Sequence, residues 1–347
     1  MRLSVLDLAP VRTDQSSADA LAASMRLAAL ADDLGYTRYW VAEHHNVASV
    51  AATSPAVLIA MIGAATSRLR IGSGGVMLPN HAPLAVAEQF ALLEAAYPGR
   101  VDLGIGRAAG ADPVTSMVLR GPVGRSDRDI DAFPDHLDDV IGLLGPAGVS
   151  VQLPDRQYVL RSTPRALTTP RVFVLGSSLY SAQVAAAKGL PYVFGHHLFG
   201  QHTAQALALY RSQFVPSETA HEPVCIVTVN TVVAETRSEA MTLALPHLQL
   251  QAQAVDGAPA GRLDLADDAG HTSLTAQQSQ IAQAELERAV VATPAEAMAQ
   301  LRELAARFEV DEVMLNPVAS TRRGSDPATA PERESTLRLL AGSMNER

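Results

Sequence analysis

The sequence predicts an α/β fold, a (β/α)8 barrel, on three observations. Short runs rich in β-branched residues alternate with longer segments of helical periodicity, the pattern of a parallel sheet covered by helices. Eight such strand–helix pairs fit within 347 residues, and one α/β barrel runs to about 250 residues before insertions. Apolar residues make up 48% of the chain and charged ones 18%, a globular composition. A doubly wound open sheet is the second choice, and about 150 residues per domain would allow two domains. Eight repeats favour one barrel domain over residues 1–347.

The elements follow in order. Leu3–Leu8 reads as a strand and Ala18–Leu34 as a helix, capped by Ser16 or Ser17 and stopped by Gly35. Tyr39–Ala42 is the second strand. Ser54 before Pro55 opens a helix to about Thr66, since proline suits the first helical position. Leu69–Met77 is the third strand, Leu84–Ala96 a helix, Val101–Gly106 the fourth strand and Asp129–Leu144 a helix. An inserted hairpin is expected at about 149–169, where Pro154-Asp155-Arg156 separates two extended runs. The alternation resumes with a strand at Val172–Leu175, a helix at Ser178–Lys188 ended by Gly189, and a strand at Tyr192–Phe194. A helix at Thr203–Phe214 and a long strand at Val224–Val233 follow. The next helix is interrupted by a polar segment, Asp256–Gln283, expected to be a lid-like loop. Thr293-Pro294 opens a helix to Phe308, Asp311–Leu315 is the eighth strand, and Glu332–Leu340 the last helix.

Lys plus Arg number 27 against 36 Asp plus Glu, a net charge of −9. That sign speaks against a general nucleic-acid surface. One cysteine, Cys225, leaves no internal disulfide and fits a reducing cytoplasm. Asp7 breaks the apolar start before an export signal could form. The uncharged stretch 46–67 carries too many polar residues for a membrane span. A cytoplasmic protein is expected.

Catalytic residues in such barrels lie at the C-terminal ends of the strands. Those positions are Asp7, Glu43-His44-His45, Gly74-Gly75, Met77, Arg107, Gly176-Ser177-Ser178, His196-His197, Asn230 and Asn316. Neighbouring residues on an extended segment point to opposite sides, so one of His44 and His45 faces the mouth, as a proton shuttle or as half of a structural pair. Arg107 with the Gly176-Ser177-Ser178 turn could bind a phosphate through a guanidinium and a helix N-terminus; an ordinary cap and a surface arginine would look the same. The glycines of Ile71–Val76 imply either a close approach to the backbone or a bulge. His196-His197 is equally open. No ligand spacing suggests a metal.

Several motifs then occur together in one order. They are Trp40-Val41-Ala42-Glu43-His44-His45, Gly72–His81, Ala87-Glu88-Gln89-Phe90, Pro98-Gly99-Arg100 and Leu103–Arg107. With them the chain resembles the bacterial luciferase-like flavin monooxygenases, strongly over residues 1–110 and more weakly over Val172–Val193. The resemblance implies a barrel that takes reduced FMN from a separate flavin reductase and, with oxygen, oxidises an organic substrate through a flavin C4a-peroxide. It implies His44 as the catalytic histidine, Gly74-Gly75 as a non-prolyl cis peptide under the flavin with Met77 beside it, and Arg107, Gly176, Ser177 and Ser178 around the phosphate. Glu88 would be a buried structural acid. His196 and His197 depart from the family pattern and are assigned to the substrate, while Ala108-Ala109-Gly110 departs where relatives have a proline. A homodimer through the helices Pro55–Thr66 and Leu84–Ala96 is expected. The resemblance implies oxygenation, by hydroxylation or epoxidation; alanine- and arginine-rich usage with few lysines suggests a high-GC genome, where such oxygenases often act on secondary metabolites such as aromatic polyketides. A deazaflavin (F420)-dependent oxidoreductase and a non-catalytic flavin-binding subunit are the alternatives.

Overall fold

A computed structural model describes residues 1–108, 110–120, 131–198, 200–254 and 261–345. Its strands are β1 (Arg2–Asp7), β2 (Arg38–Val41), β3 (Arg70–Ser73), β4 (Val76–Met77), β5 (Val101–Gly106), β6 (Val149–Gln152), β7 (Gln157–Leu160), β8 (Arg171–Gly176), β9 (Tyr192–Phe194), β10 (Cys225–Val233), β11 (Val290–Ala292) and β12 (Glu312–Pro317). The parallel order β12-β1-β2-β3-β5-β8-β9 is closed by β10, which pairs with both β9 and β12. The result is the predicted (β/α)8 barrel.

Helices between the strands cover the outside: α1 (Ser17–Asp33), α2 (Pro55–Ala65), α3 (Pro83–Ala96), α4 (Pro113–Arg120), α5 (Phe133–Leu144), α6 (Leu179–Ala187), α7 (Thr203–Gln213), α8 (Arg237–Ala254), α9 (Ala276–Arg288), α10 (Pro294–Phe308) and α11 (Pro331–Asn345). Local chemistry sets their ends. Ser16 and Asp19 form a capping box on α1, and Gly35 ends it at φ +80°. None of the described helices is long and apolar enough to cross a membrane. The expected hairpin is present as the antiparallel pair β6–β7. The start of the helix expected from Asp129 lies outside the described residues.

The barrel interior is layered, because alternate residues of every strand point inward. At the N-terminal end lies an ion cluster. Arg38 Nε donates to Glu312 Oε1 at 2.5 Å, and its Nη1 donates to Asp102 Oδ2 at 2.6 Å. Trp40 Nε1 and Arg70 Nη2 also donate to Asp102, at 3.1 and 2.6 Å, and the Ser4 hydroxyl donates to Glu312 at 2.6 Å. Above them Leu6, Trp40, Phe173, Val193, Ile226 and Met314 form an apolar plug. A functional site therefore has room only at the C-terminal mouth.

Four expectations need correction. The third strand is broken between Ser73 and Val76 by the Gly74-Gly75 peptide, which is cis. A strand, β11, was not foreseen; it pairs with the outer half of β10 at Thr231–Val233. The segment expected as a structureless lid contains the helix α9, capped by a box of Thr275 and Gln278; residues 256–260 of that segment lie outside the described ones. Glu88 is half-exposed and accepts from the Thr163 hydroxyl at 2.9 Å. The buried acid on α3 is Glu94, whose Oε1 accepts from Gly99 N–H at 2.7 Å.

Candidate active site

The period of two along each strand decides which residues face the mouth. On β2 the inward series Arg38, Trp40 continues through Ala42 to His44. On β10 Ile226 leads to Thr228 and Asn230, and His197, in the turn after β9, sets its Nδ1 2.5 Å from Thr228 Oγ1. His45 and His196 fall in the other phase.

Glu43 lies beside His44, fully buried. Its Oε1 accepts from His45 Nε2 at 2.9 Å and His81 Nε2 at 2.8 Å, and its Oε2 from Met77 N–H at 2.9 Å. Burial works to raise the Glu43 pKa, but the hydrogen bond and charge of His81, the bond from His45 and the Met77 amide outweigh it and hold the carboxyl below its ordinary range. One carboxylate thus ties the ends of β2 and β4 together around the His44 backbone, whose N–H donates to Ala52 O at 2.9 Å. The His44 ring is left with Nδ1 buried and without a hydrogen-bond partner. Burial, ahead of the opposing charge of Glu43, lowers its pKa and keeps the imidazole neutral. The sequence reading placed Glu43 at the mouth without a role and missed His81 as its partner. His81 stands 38 positions from Glu43, a distance that local spacing does not span.

Arg107 follows β5 and carries its guanidinium 4.3 Å from the centroid of the Tyr180 ring. Tyr180 is the second residue of α6, so this contact sets the cation beside the helix start where Ser177 and Ser178 lie. Ser178 caps α6 through its hydroxyl, which accepts from Ser181 N–H at 3.3 Å. The first-turn N–H groups of Leu179 and Tyr180 have no acceptor within the helix. Gly176 allows the turn to close, since a Cβ there would fall 2.2 Å from Ser181 Oγ. Beside this cluster lie the cis Gly74-Gly75 peptide and Met77, which pairs with Gly106 at the end of β5. The structure thus brings Arg107, Gly176, Ser177 and Ser178 into one cluster.

The remaining wall is formed by β9, β10, β12 and α9. Asn316 Nδ2 donates to Asn230 Oδ1 at 2.7 Å, and Asn230 Nδ2 donates to Glu285 Oε1 at 2.5 Å with His247 Nε2 at 3.2 Å. Arg288 holds the other Glu285 oxygen at 2.5 Å. Asp7 is spent on Arg333, Tyr39 and the Ala9 amide. The histidine pair divides. His197 faces this wall, while His196 packs 5.3 Å from Phe308, bonds Thr203 Oγ1 at 2.7 Å and lines an outer cavity of about 460 Å3 with Arg288 and Arg307. His196 therefore stands outside the barrel mouth, which corrects its assignment to the substrate.

A closed barrel with an inward histidine and a guanidinium beside a helix N-terminus at its mouth is built as a cofactor-using enzyme. Residues 1–311 match the family model of luciferase-like monooxygenases. A luciferase-like monooxygenase of Escherichia coli (strain K12) is 44% identical over 237 residues, 68% of each chain. An uncharacterized protein of Bacillus subtilis (strain 168) is 37% identical over 314 residues, 90% of each. Apo-MsnO8 superposes with a TM-score of 0.83 at 33% identity, covering 100% of this chain and 99% of that one. Two more distant barrels share the fold. One is the oxygenating constituent of 3,6-diketocamphane monooxygenase of Pseudomonas putida in complex with FMN, with 18% identity, a TM-score of 0.68 and coverage of 98% and 97%. The other is the F420-dependent tetrahydromethanopterin reductase of Methanopyrus kandleri, with 13% identity, a TM-score of 0.67 and coverage of 98% of each chain. The chain belongs to the luciferase-like monooxygenase family, and is a flavin-dependent monooxygenase.

Proposed function

We propose that the protein uses reduced FMN and molecular oxygen to hydroxylate or epoxidise an organic substrate, with the flavin supplied by a separate reductase. The observation that carries this reading is the Arg107–Tyr180 contact beside the α6 N-terminus. A guanidinium, the Ser177 hydroxyl and two first-turn N–H groups form a donor set suited to a phosphate monoester, the anionic end of FMN. The orphaned His44 Nδ1 is a second fit, because a buried polar atom without a partner calls for a ligand to supply one.

When bound, the reduced flavin supplies the electrons that activate dioxygen. The protein's own residues do the rest. Arg107 and the Ser177-Ser178 turn anchor the phosphate; Gly74-Gly75 and Met77 leave a low wall for a flat ring. His44, neutral and rigidly placed by its backbone bond, holds or hands over a proton at Nδ1 next to the reacting atoms. The mouth excludes water where α9 lies over it, tied to β10 by the Asn230–Glu285 bond. The substrate class proposed, from residue usage and family association alone, is a secondary metabolite such as an aromatic polyketide.

Reduced FMN, oxygen and a candidate substrate should give a product labelled from isotopic dioxygen; a product without label sinks the reading. A homodimer is part of the proposal. Val57, Met61 and Leu92 expose 59, 41 and 58% of their surfaces on the outer faces of α2 and α3. Light scattering should give about twice 36.6 kDa, and a monomer mass would reject the dimer.

A further inference from the structure

The wall formed by β9, β10, β12 and α9 carries a histidine that stays out of its hydrogen-bond network. Asn316, Asn230, His247, Glu285 and Arg288 spend their hydrogen bonds on one another. His197 does not join them. Its N–H donates to Thr228 O at 3.1 Å, and its Nδ1 lies 2.5 Å from Thr228 Oγ1. The Thr228 hydroxyl donates in turn to Phe194 O at 3.3 Å.

A hydroxyl has one proton to give. Both contacts are made at once when the Thr228 hydroxyl donates to Phe194 and its oxygen accepts from His197; that arrangement, with the hydrogen on Nδ1, is the tautomer on which the inference rests. His197 Nε2 is then a bare lone pair. Nε2 makes no hydrogen bond to a described residue, and the ring lies against Thr228, which follows the inward Ile226 on β10. Burial, followed by the charges of His247, His196 and His44, lowers the ring's pKa to about 3. Near neutral pH the atom accepts a hydrogen bond without taking the proton.

We propose that His197 is a specificity residue: its Nε2 accepts a hydrogen bond from a hydroxyl or N–H of the organic substrate, so that the enzyme takes a donor-bearing molecule and rejects its methylated counterpart. The inference rests on the reading that the substrate binds in the mouth beside the flavin. A site that leaves a desolvated acceptor unpaired when the analogue binds rejects that analogue, whereas a purely apolar pocket distinguishes the two poorly.

The test uses 2-naphthol and 2-methoxynaphthalene as probes, titrated calorimetrically into the full chain with and without FMN. Wild type should hold the naphthol roughly ten- to hundredfold tighter than its methyl ether. That preference should fall below about threefold in His197→Phe and be largely kept in His197→Gln, whose amide oxygen can still accept. A 15N spectrum of the histidines should show His197 protonated at Nδ1 alone. Equal binding or no binding of both probes to wild type, an unchanged preference in His197→Phe, or a proton on Nε2 would each overturn the proposal. FMN affinity measured in the same samples separates the two readings. A lost preference with FMN binding intact rejects the role of His197 alone, and a retained preference without FMN binding rejects the cofactor assignment alone.

Discussion

The guanidinium of Arg107 stacks 4.3 Å above the ring of Tyr180, joining the end of β5 to the first turn of α6. The ring fixes the plane of the cation without neutralising it, so the donors stay available to an anion. A carboxylate partner in the same place would have cancelled the charge on which phosphate binding depends.

Arg107→Ala should weaken FMN binding by about 1.5–3 kcal/mol, the range for a hydrogen bond to a charged group. Arg107→Lys should recover only part of it, because a point charge neither stacks nor presents a fork. Flavin fluorescence titration reads both; unchanged affinity in the alanine variant would remove Arg107 from the site.

His44→Ala should lower product formation by about 10²–10⁴, the usual contribution of a positioned acid–base group, with FMN affinity kept within a few-fold. Glu43→Gln should reduce turnover less, by loosening the His45–Glu43–His81 clasp behind His44. Full activity in His44→Ala would contradict its assignment.

Stability should fall on mild acidification. Burial, ahead of nearby cations for His196, lowers the pKa of His196 and His247 to about 4. The ordinary value near 6.5 applies to the unfolded chain. Between those values the unfolded state binds more protons, so stability is complete above about pH 6.5 and is lost as pH drops toward 4. Each histidine contributes up to about 1.4 kcal/mol per pH unit in that window. Urea denaturation at pH 7 and pH 5 should show the loss, and His196→Gln should flatten it. Equal stability at the two pH values would argue that these rings are accessible.

Arg38→Ala should destabilise the fold by up to about 3–5 kcal/mol, because it removes the buried guanidinium that Asp102 and Glu312 share and leaves them Arg70 and the exposed Arg2 as their cations. Since the apolar plug separates this cluster from the mouth, FMN affinity of the folded fraction should stay unchanged. Denaturant midpoints and flavin titration together test both halves.

Much of this was legible in the chain. β5 and β9 have the boundaries their sequences announce, because Gly and Pro punctuate both. The cis Gly74-Gly75 peptide followed from the family resemblance, whereas the Arg107–Ser178 cluster was already legible from the places of these residues at the ends of two strands. β11 was missed because Val290-Val291-Ala292 is three residues long and follows α9 with no turn signal. α9 was missed because its sequence is polar nearly all round, Glu285 being its buried residue; the Thr275-x-x-Gln278 capping box was the available signal. Glu94 rather than Glu88 proved buried, since half a turn of helix separates facing the core from facing solvent. The Glu43–His81 and Asn230–Glu285 bonds join residues 38 and 55 apart, and only the closed barrel brings such partners together.

The most direct test of the cofactor assignment is anaerobic titration of the protein with reduced FMN and, separately, with reduced F420. The account expects saturable binding of reduced FMN that Arg107→Ala weakens, and no comparable binding of F420. Tight binding of F420 with none of reduced FMN would contradict it.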